Sequence, residues 1–129
     1  MSMEQTFTIN QVAQITTLSV HTLRYYERIG LLQPIRRTKN GYRCYTSADI
    51  EWIAFLTRLR LTGMPINMML QYSLLRRTDV ESLKKRRELL ERHEKAIRKR
   101  LAELTESLTA ITTKIGNYKQ MEENQSQEH

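Results

Sequence analysis

The feature that most restricts the fold of this chain is a run of apolar residues that recur in alternating steps of three and four. Starting at Val80, the run has twelve such positions, of which ten are apolar and two, Arg87 and Glu94, are charged. No proline interrupts it, and its first glycine is Gly116. The spacing predicts one α-helix over residues 79–118 with a coiled-coil seam. The predicted seam residues are Leu83, Leu90, Ile97, Leu101, Leu104, Leu108, Ile111 and Ile115.

Such a helix is too long to be covered by a small domain, since at about 1.5 Å per residue it extends for about 58 Å. The pattern therefore predicts a homodimer, in which a second copy covers the seam. The alternative is that the first two heptads fold back on the N-terminal part of the chain. Residues 80–100 carry nine basic and four acidic side chains, whereas residues 101–129 carry two and five. This asymmetry favours an antiparallel coiled coil, although exposed charge pairs contribute little each.

Composition narrows the functional classes. The chain has 129 residues, a net charge of +7 and a pI of about 9.8, which favours an anionic partner. No apolar run is long enough for a membrane span, so we expect no membrane partner and a cytoplasmic protein. The single cysteine and three dispersed histidines predict neither disulfide nor metal site. We find no nucleophile with a base, paired carboxylates or phosphate loop, so we expect no enzyme and no cofactor.

Two short helices are predicted near the N-terminus. Thr8 and Gln11 form a capping-box pattern at the start of the first, and Ser19 can cap a second that ends at Gly30. At 100° per residue, one face of the second helix is apolar and the opposite face is basic and aromatic. Two helices joined by a tight turn in this way are typical of a helix–turn–helix. The outer face comprises His21, Arg24, Tyr25 and Arg28.

The next segment predicts a β-hairpin, because Asn40 and Gly41 are a strong signal for a two-residue turn. This hairpin would form a small wing with an all-basic set of charges, which suits contact with phosphate. A helix capped by Thr46 and a further helix with Pro65 in its first turn complete a domain over residues 1–78. The basic wing residues are Arg36, Arg37, Lys39 and Arg43.

Three stretches carry a resemblance to a known family: TLRYYERIGLL (residues 22–32), NGYRCYTSADI (40–50) and WIAFLTRLRLTGM (52–64). In this order, and followed by a coiled coil, they resemble the MerR family of bacterial transcription regulators. The resemblance implies a mainly α fold, with a winged helix–turn–helix domain followed by a long helix of an antiparallel dimer. It also implies a mechanism in which the dimer bends and untwists promoter DNA with an over-long spacer, so that RNA polymerase engages both promoter elements.

Position in a helix–turn–helix nominates His21 and Thr22 as readers of base edges, although His21 could equally be an idle surface residue. By resemblance to the family's RYY and YR motifs, Arg24 and Tyr25 contact DNA, and Tyr42 and Arg43 contact its backbone from the wing. Further phosphate contacts are expected from Arg28, Arg36, Arg37 and Lys39.

The chain departs from the family pattern at the turn, where Thr17 replaces the usual glycine, so the turn either changes geometry or accepts strain. The cysteines of the metal-binding relatives are absent from the dimer-helix region, and residues 119–129 are predicted to be a polar, unfolded tail. A stress or electrophile signal would have to act through Cys44, whose other interpretation is a half-buried structural residue. The competing function is a coiled-coil scaffold protein with incidental, nonspecific DNA affinity.

Overall fold

The computed structural model describes residues 5–78 and 81–128. Residue 79, where the long helix was predicted to start, and the first seam residue, Val80, lie outside these ranges. Residues 81–82 form a turn, so the helix begins at Leu83, later than predicted. The architecture is mainly helical, with a small antiparallel sheet, as predicted. In chain order the elements are β1 (Thr6–Phe7), α1 (Ile9–Thr16), α2 (Val20–Ile29), β2 (Arg36–Arg37), β3 (Arg43–Thr46), α3 (Ser47–Leu61), α4 (Ile66–Thr78) and α5 (Leu83–Gln127).

The first two helices begin where their capping residues predicted. At the start of α1 the Thr8 hydroxyl accepts from the Gln11 N–H at 3.2 Å, and the Gln11 side chain accepts from the Thr8 N–H at 2.8 Å. Ser19 caps α2 in the same way by accepting from the Thr22 N–H at 3.0 Å. Gly30 ends α2 with a φ of +92°, a conformation that glycine adopts without strain.

The wing belongs to a three-stranded sheet in the order β1-β3-β2. β3 pairs with β1, where Phe7 lies opposite Tyr45, and with β2, where Arg36 lies opposite Cys44. The strand β1 was not predicted, because two residues are too few to show the alternation that marks a strand.

The predicted two-residue turn of the wing is wrong in length. The Thr38 N–H donates to the Tyr42 carbonyl at 2.8 Å, and the Gly41 N–H donates to the Thr38 carbonyl at 2.9 Å. Residues 39–41 therefore form a three-residue loop. Gly41 has a φ of +84°, the left-handed conformation that such a loop needs at its last position.

The core of the domain is centred on α3, which contributes Trp52, Ile53, Leu56 and Leu59. Trp52 also fixes the segment that follows α2, since its indole N–H donates to the Leu31 carbonyl at 2.9 Å. Ser73 of α4 donates to the same carbonyl at 3.2 Å. This buried carbonyl therefore connects α2, α3 and α4.

The helix α5 continues through Gln127, so the prediction of an unfolded tail from residue 119 is wrong. Residues 119–127 contain neither proline nor glycine, and most are good helix formers. Extending an existing helix needs no new nucleus, which explains why a polar segment continues it.

The chain divides into two compact units, the first ending at Leu89 and the second beginning at Leu90. This division lies later than the boundary predicted after residue 78. In the second unit the predicted seam residues Leu101, Leu104, Leu108, Ile111 and Ile115 are between 49% and 65% exposed. Among the helices of residues 5–78 and 81–128, none has both the length and the apolar character that a membrane span requires.

Candidate nucleic-acid interface

The outer face of α2 presents the residues that the sequence placed there. Leu23 and Tyr26 are buried in the core, so they orient the helix. Tyr25 is 37% exposed, and the Arg28 guanidinium lies 5.6 Å from the centre of its ring. The cation therefore steadies the aromatic ring at the surface. His21, Arg24 and Arg28 are exposed as predicted.

Thr22 lies in the first turn of α2 and is only partly exposed. Its hydroxyl accepts from the Ser19 hydroxyl at 2.9 Å, so it is held by the cap. The hydroxyl hydrogen of Thr22 is not used in this contact and can still be donated. Thr22 therefore uses its hydroxyl as an acceptor in the cap and can still donate its hydroxyl hydrogen in recognition.

The wing exposes a basic surface. Tyr42 is 73% exposed, and Arg36 and Lys39 also face solvent. Arg37 donates through Nη1 to the Gly41 carbonyl at 2.9 Å, which ties this exposed side chain to the loop. The remaining donors of the Arg37 guanidinium stay available because this contact uses only one N–H.

Arg43 differs from the other wing residues, because it is paired with an acid. Its Nε donates to Oε2 of Glu27 at 2.9 Å, and the two side chains are only 21% and 18% exposed. The pair joins β3 to α2 across sixteen positions of sequence. Because this contact is made by Nε, it leaves both terminal nitrogens of Arg43 available for other hydrogen bonds. Glu27 was not predicted in this role, since only pairs three or four residues apart on one helix can be recognised by spacing.

Tyr45 lies beside this ion pair and is completely buried. Its hydroxyl has no hydrogen-bond partner among the residues that the structure describes. Burial, and secondarily the negative charge of Glu27, raise the pKa of Tyr45 above its ordinary value, so the ring stays neutral at physiological pH. Tyr45 therefore does not reach the exposed surface.

The turn between α1 and α2 accepts strain. Thr17 has φ 60° and ψ 18°, and it is the one non-glycine residue with positive φ in the described ranges. A β-branched residue in this left-handed conformation costs about 1–2 kcal/mol relative to an ordinary one. Of the two predicted outcomes for Thr17, strain is therefore correct, and the usual geometry of the turn is kept.

Cys44 is partly buried in β3 and is a free thiol. Within residues 5–78 and 81–128, no group of three or more His, Cys, Asp and Glu side chains is placed to hold a metal ion. The role of Cys44 as a thiol sensor stays a prediction, since its position in the sheet fits a structural residue as well.

These observations define the class of protein. Two helices joined by a tight turn, with a basic hairpin beside the second helix, form a winged helix–turn–helix. The profile of the MerR HTH family of regulatory proteins matches residues 7–73. The chain belongs to this family, which confirms the predicted resemblance and the prediction of a transcription regulator rather than an enzyme.

Similar proteins support the assignment along most of the chain. An uncharacterized HTH-type transcriptional regulator of Bacillus subtilis, YyaN, is 34% identical over 87% of this chain and 90% of its own length. The crystal structure of a protein from Listeria monocytogenes, assigned to the MerR family, has a TM-score of 0.83 at 34% identity, covering 87% of this chain and 85% of that one.

A third relative was solved with DNA. The structure of HiNmlR, a MerR family regulator lacking the sensor domain, bound to promoter DNA, has a TM-score of 0.74 at 29% identity. The match covers 81% of this chain and 79% of that chain.

Proposed function

We propose that this protein is a cytoplasmic, sequence-specific regulator that binds promoter DNA as a homodimer. The observation that carries the proposal is the shared exposure of the outer face of α2 and the basic wing, which the Glu27–Arg43 pair joins at 2.9 Å. In a winged helix–turn–helix, the second helix enters the major groove. HiNmlR, with its promoter DNA, supports the same use of this surface.

The residues divide into two kinds of contact. His21 and Thr22 lie at the start of α2, where side chains reach base edges, and so we assign them sequence readout. Arg24, Tyr25 and Arg28 lie further along the same face and contact the DNA with less sequence dependence. The wing binds phosphate, which contributes affinity and fixes orientation. Its contributors are Arg36, Arg37, Lys39, Tyr42 and Arg43.

The homodimer is supported by the exposed seam of α5. Leu104 is 65% exposed and Leu108 is 64% exposed in the single chain. Exposed leucines repeated at heptad spacing favour a second helix of the same kind, because burial of each contributes about 1.5–3 kcal/mol. The opposite net charges of the two halves of the helix favour an antiparallel partner.

The dimer would act by deforming DNA. Bending and untwisting the spacer of a promoter costs several kcal/mol, which must be offset by contacts on both flanks. The two copies of the basic wing in one homodimer provide such contacts. RNA polymerase would then engage promoter elements that are otherwise out of register.

The proposal is tested by the salt dependence of binding to a mixed-sequence duplex. Each phosphate contact contributes about 0.9 to the slope of log K against log salt. A homodimer of the variant Lys39→Gln loses two phosphate contacts. We therefore expect the negative slope to become shallower by about 1.8. Lys119→Gln, the same change on α5, serves as the control and should leave the slope unchanged.

A scaffold protein with incidental DNA affinity predicts a different result. Its DNA affinity would come from cations spread over the whole surface, so Lys39→Gln and Lys119→Gln would change the salt dependence by similar amounts. Equal slopes for Lys39→Gln and Lys119→Gln would therefore favour the scaffold function over the regulator.

A further inference from the structure

A cavity of about 170 Å³ lies within the unit that ends at Leu89. It is bordered by the segment after α2, the first turn of α3 and the last turns of α4. Its walls include Leu31, Asp49, Trp52, Arg76 and Arg77. None of these residues belongs to the DNA-contact set proposed above, so the cavity is separate from that surface.

The charge of the cavity favours an anion. Arg76 and Arg77 bring two positive charges to it and Asp49 brings one negative charge. The carboxylate of Asp49 is already engaged, since its Oδ2 accepts from the Thr46 N–H at 2.9 Å. The indole N–H of Trp52 is engaged as well, by the Leu31 carbonyl. The two guanidiniums therefore supply the strongest donors left in the cavity.

Arg77 carries an unsatisfied donor. Its Nε is buried and has no hydrogen-bond partner among the described residues. A buried charged donor without an acceptor is strongly unfavourable, and such groups in native proteins usually have a partner. A carboxylate in the cavity would match the fork of donors on the guanidinium, and a movement of Arg77 toward it would give Nε an acceptor.

The other wall of the cavity is aromatic. The Arg76 guanidinium lies over the Trp52 ring at 4.2 Å from its centre, and Tyr72 stacks on Trp52 at 5.8 Å with 17° between the planes. A guanidinium over an indole has a planar face of its own, and aromatic rings stack on such faces. A cavity of about 150 Å³ accommodates one benzene ring in another protein, so a single six-membered ring fits here.

We propose that this cavity binds a small aromatic carboxylate of about the size of benzoate. The carboxylate accepts hydrogen bonds from the Arg77 guanidinium, and the ring stacks against the Arg76 and Trp52 pair. One negative charge balances the excess positive charge of the walls.

A ligand in the cavity would affect the C-terminal end of α2. A Cβ placed on Gly30, the residue that ends α2, would lie only 3.9 Å from Nη2 of Arg77. Leu31, which follows Gly30, lines the cavity and accepts the hydrogen bonds of Trp52 and Ser73. A ligand that draws Arg77 inward thus acts next to the end of the recognition helix. Resting on the function proposed above, this makes the ligand a regulator of DNA affinity.

Trp52 is the only tryptophan of the chain, so its fluorescence reports on this cavity directly. The full-length protein is titrated with sodium benzoate, with neutral benzamide and with sodium sulfate at matched ionic strength. We expect a saturable change with benzoate, with a dissociation constant of about 10 mM or tighter for a ligand of this size, and no saturable change with the other two. Equal responses to benzamide or sulfate, or no response to benzoate, would overturn the proposal.

Two variants locate the site. Arg77→Gln removes the charge that binds the carboxylate and should weaken benzoate binding by about tenfold or more. Arg76→Gln, at an exposed residue, should also weaken it and keeps the test valid if the first variant fails to fold. Arg60→Gln on the exposed side of α3 is the matched control and should bind benzoate like the parent. If Arg76→Gln and a correctly folded Arg77→Gln both bind benzoate as the parent does, the ligand binds elsewhere and the proposal is refuted.

The regulatory part is measured separately, as the change in duplex affinity caused by saturating benzoate. We expect a change in the parent protein and none in Arg77→Gln. The fluorescence titration contains no DNA, so its failure would leave the proposed DNA-binding function untouched. Benzoate binding without a change in DNA affinity would overturn the regulatory role.

Discussion

The strained turn at Thr17 makes a quantitative prediction about stability. Thr17 has a φ of 60°, and the left-handed conformation costs a β-branched residue about 1–2 kcal/mol. Glycine adopts this conformation freely but gains backbone entropy in the unfolded chain, which costs about 0.5–1 kcal/mol. The side-chain hydrogen bond of Thr17 to the Thr16 carbonyl is exposed and contributes little. Thr17→Gly should therefore raise the free energy of unfolding by about 0.5–1 kcal/mol.

The matched control is Thr62→Gly, since Thr62 also follows a helix but has an ordinary φ of −90°. There glycine relieves no strain, so the free energy of unfolding should fall by about 0.5–1 kcal/mol. Both variants are measured by urea denaturation, followed by circular dichroism at one protein concentration, because a dimer's stability depends on concentration. Equal destabilisation by the two glycines would show that Thr17 is not strained.

Three further predictions concern the ion pair, the seam and the thiol. Because the pair is largely buried, Glu27→Gln should lower the free energy of unfolding by about 1–2 kcal/mol. A double-mutant cycle with Arg43→Gln, measured by urea denaturation, should show a coupling energy of about 1 kcal/mol or more. Additive effects of the two substitutions would contradict this prediction. Replacing Leu104 and Leu108 with serine should shift the protein from dimer to monomer in sedimentation equilibrium, since each lost leucine removes about 1.5–3 kcal/mol of burial free energy. An unchanged dimer would exclude the seam as the dimer interface. If Cys44 is a thiol sensor, Cys44→Ser should keep DNA affinity and lose any response of that affinity to a thiol reagent, whereas a persisting response would reject the sensor.

The helices were predictable because their signals are local. Thr8, Ser19 and Gly30 act within one turn of the residues they cap, and the structure uses all three as expected. The amphipathic face of α2 follows from the helical repeat alone. The exposure of His21, Arg24, Tyr25 and Arg28 could therefore be predicted without any tertiary contact, whereas their contacts with DNA stay a prediction.

The elements that were missed depend on contacts distant in sequence or on helix growth. The strand β1 exists because Phe7 pairs with Tyr45, which no local pattern encodes. The pairing of Arg43 with Glu27 likewise needs the wing and α2 to be brought together. The C-terminal end of α5 was misjudged because low hydrophobicity was interpreted as disorder, although helix propensity was sufficient to extend the helix to Gln127.

The central claim is that this protein binds particular promoter sites as a symmetric dimer. The most direct test is to select fragments of the source genome with the purified, reduced protein at near-physiological salt and to sequence what is bound. We expect strong enrichment of a few promoter fragments that share an inverted repeat, because a twofold dimer reads two half-sites. If the parent protein enriches fragments no more selectively than the double variant Arg24→Ala/Arg36→Ala does, sequence-specific binding is contradicted.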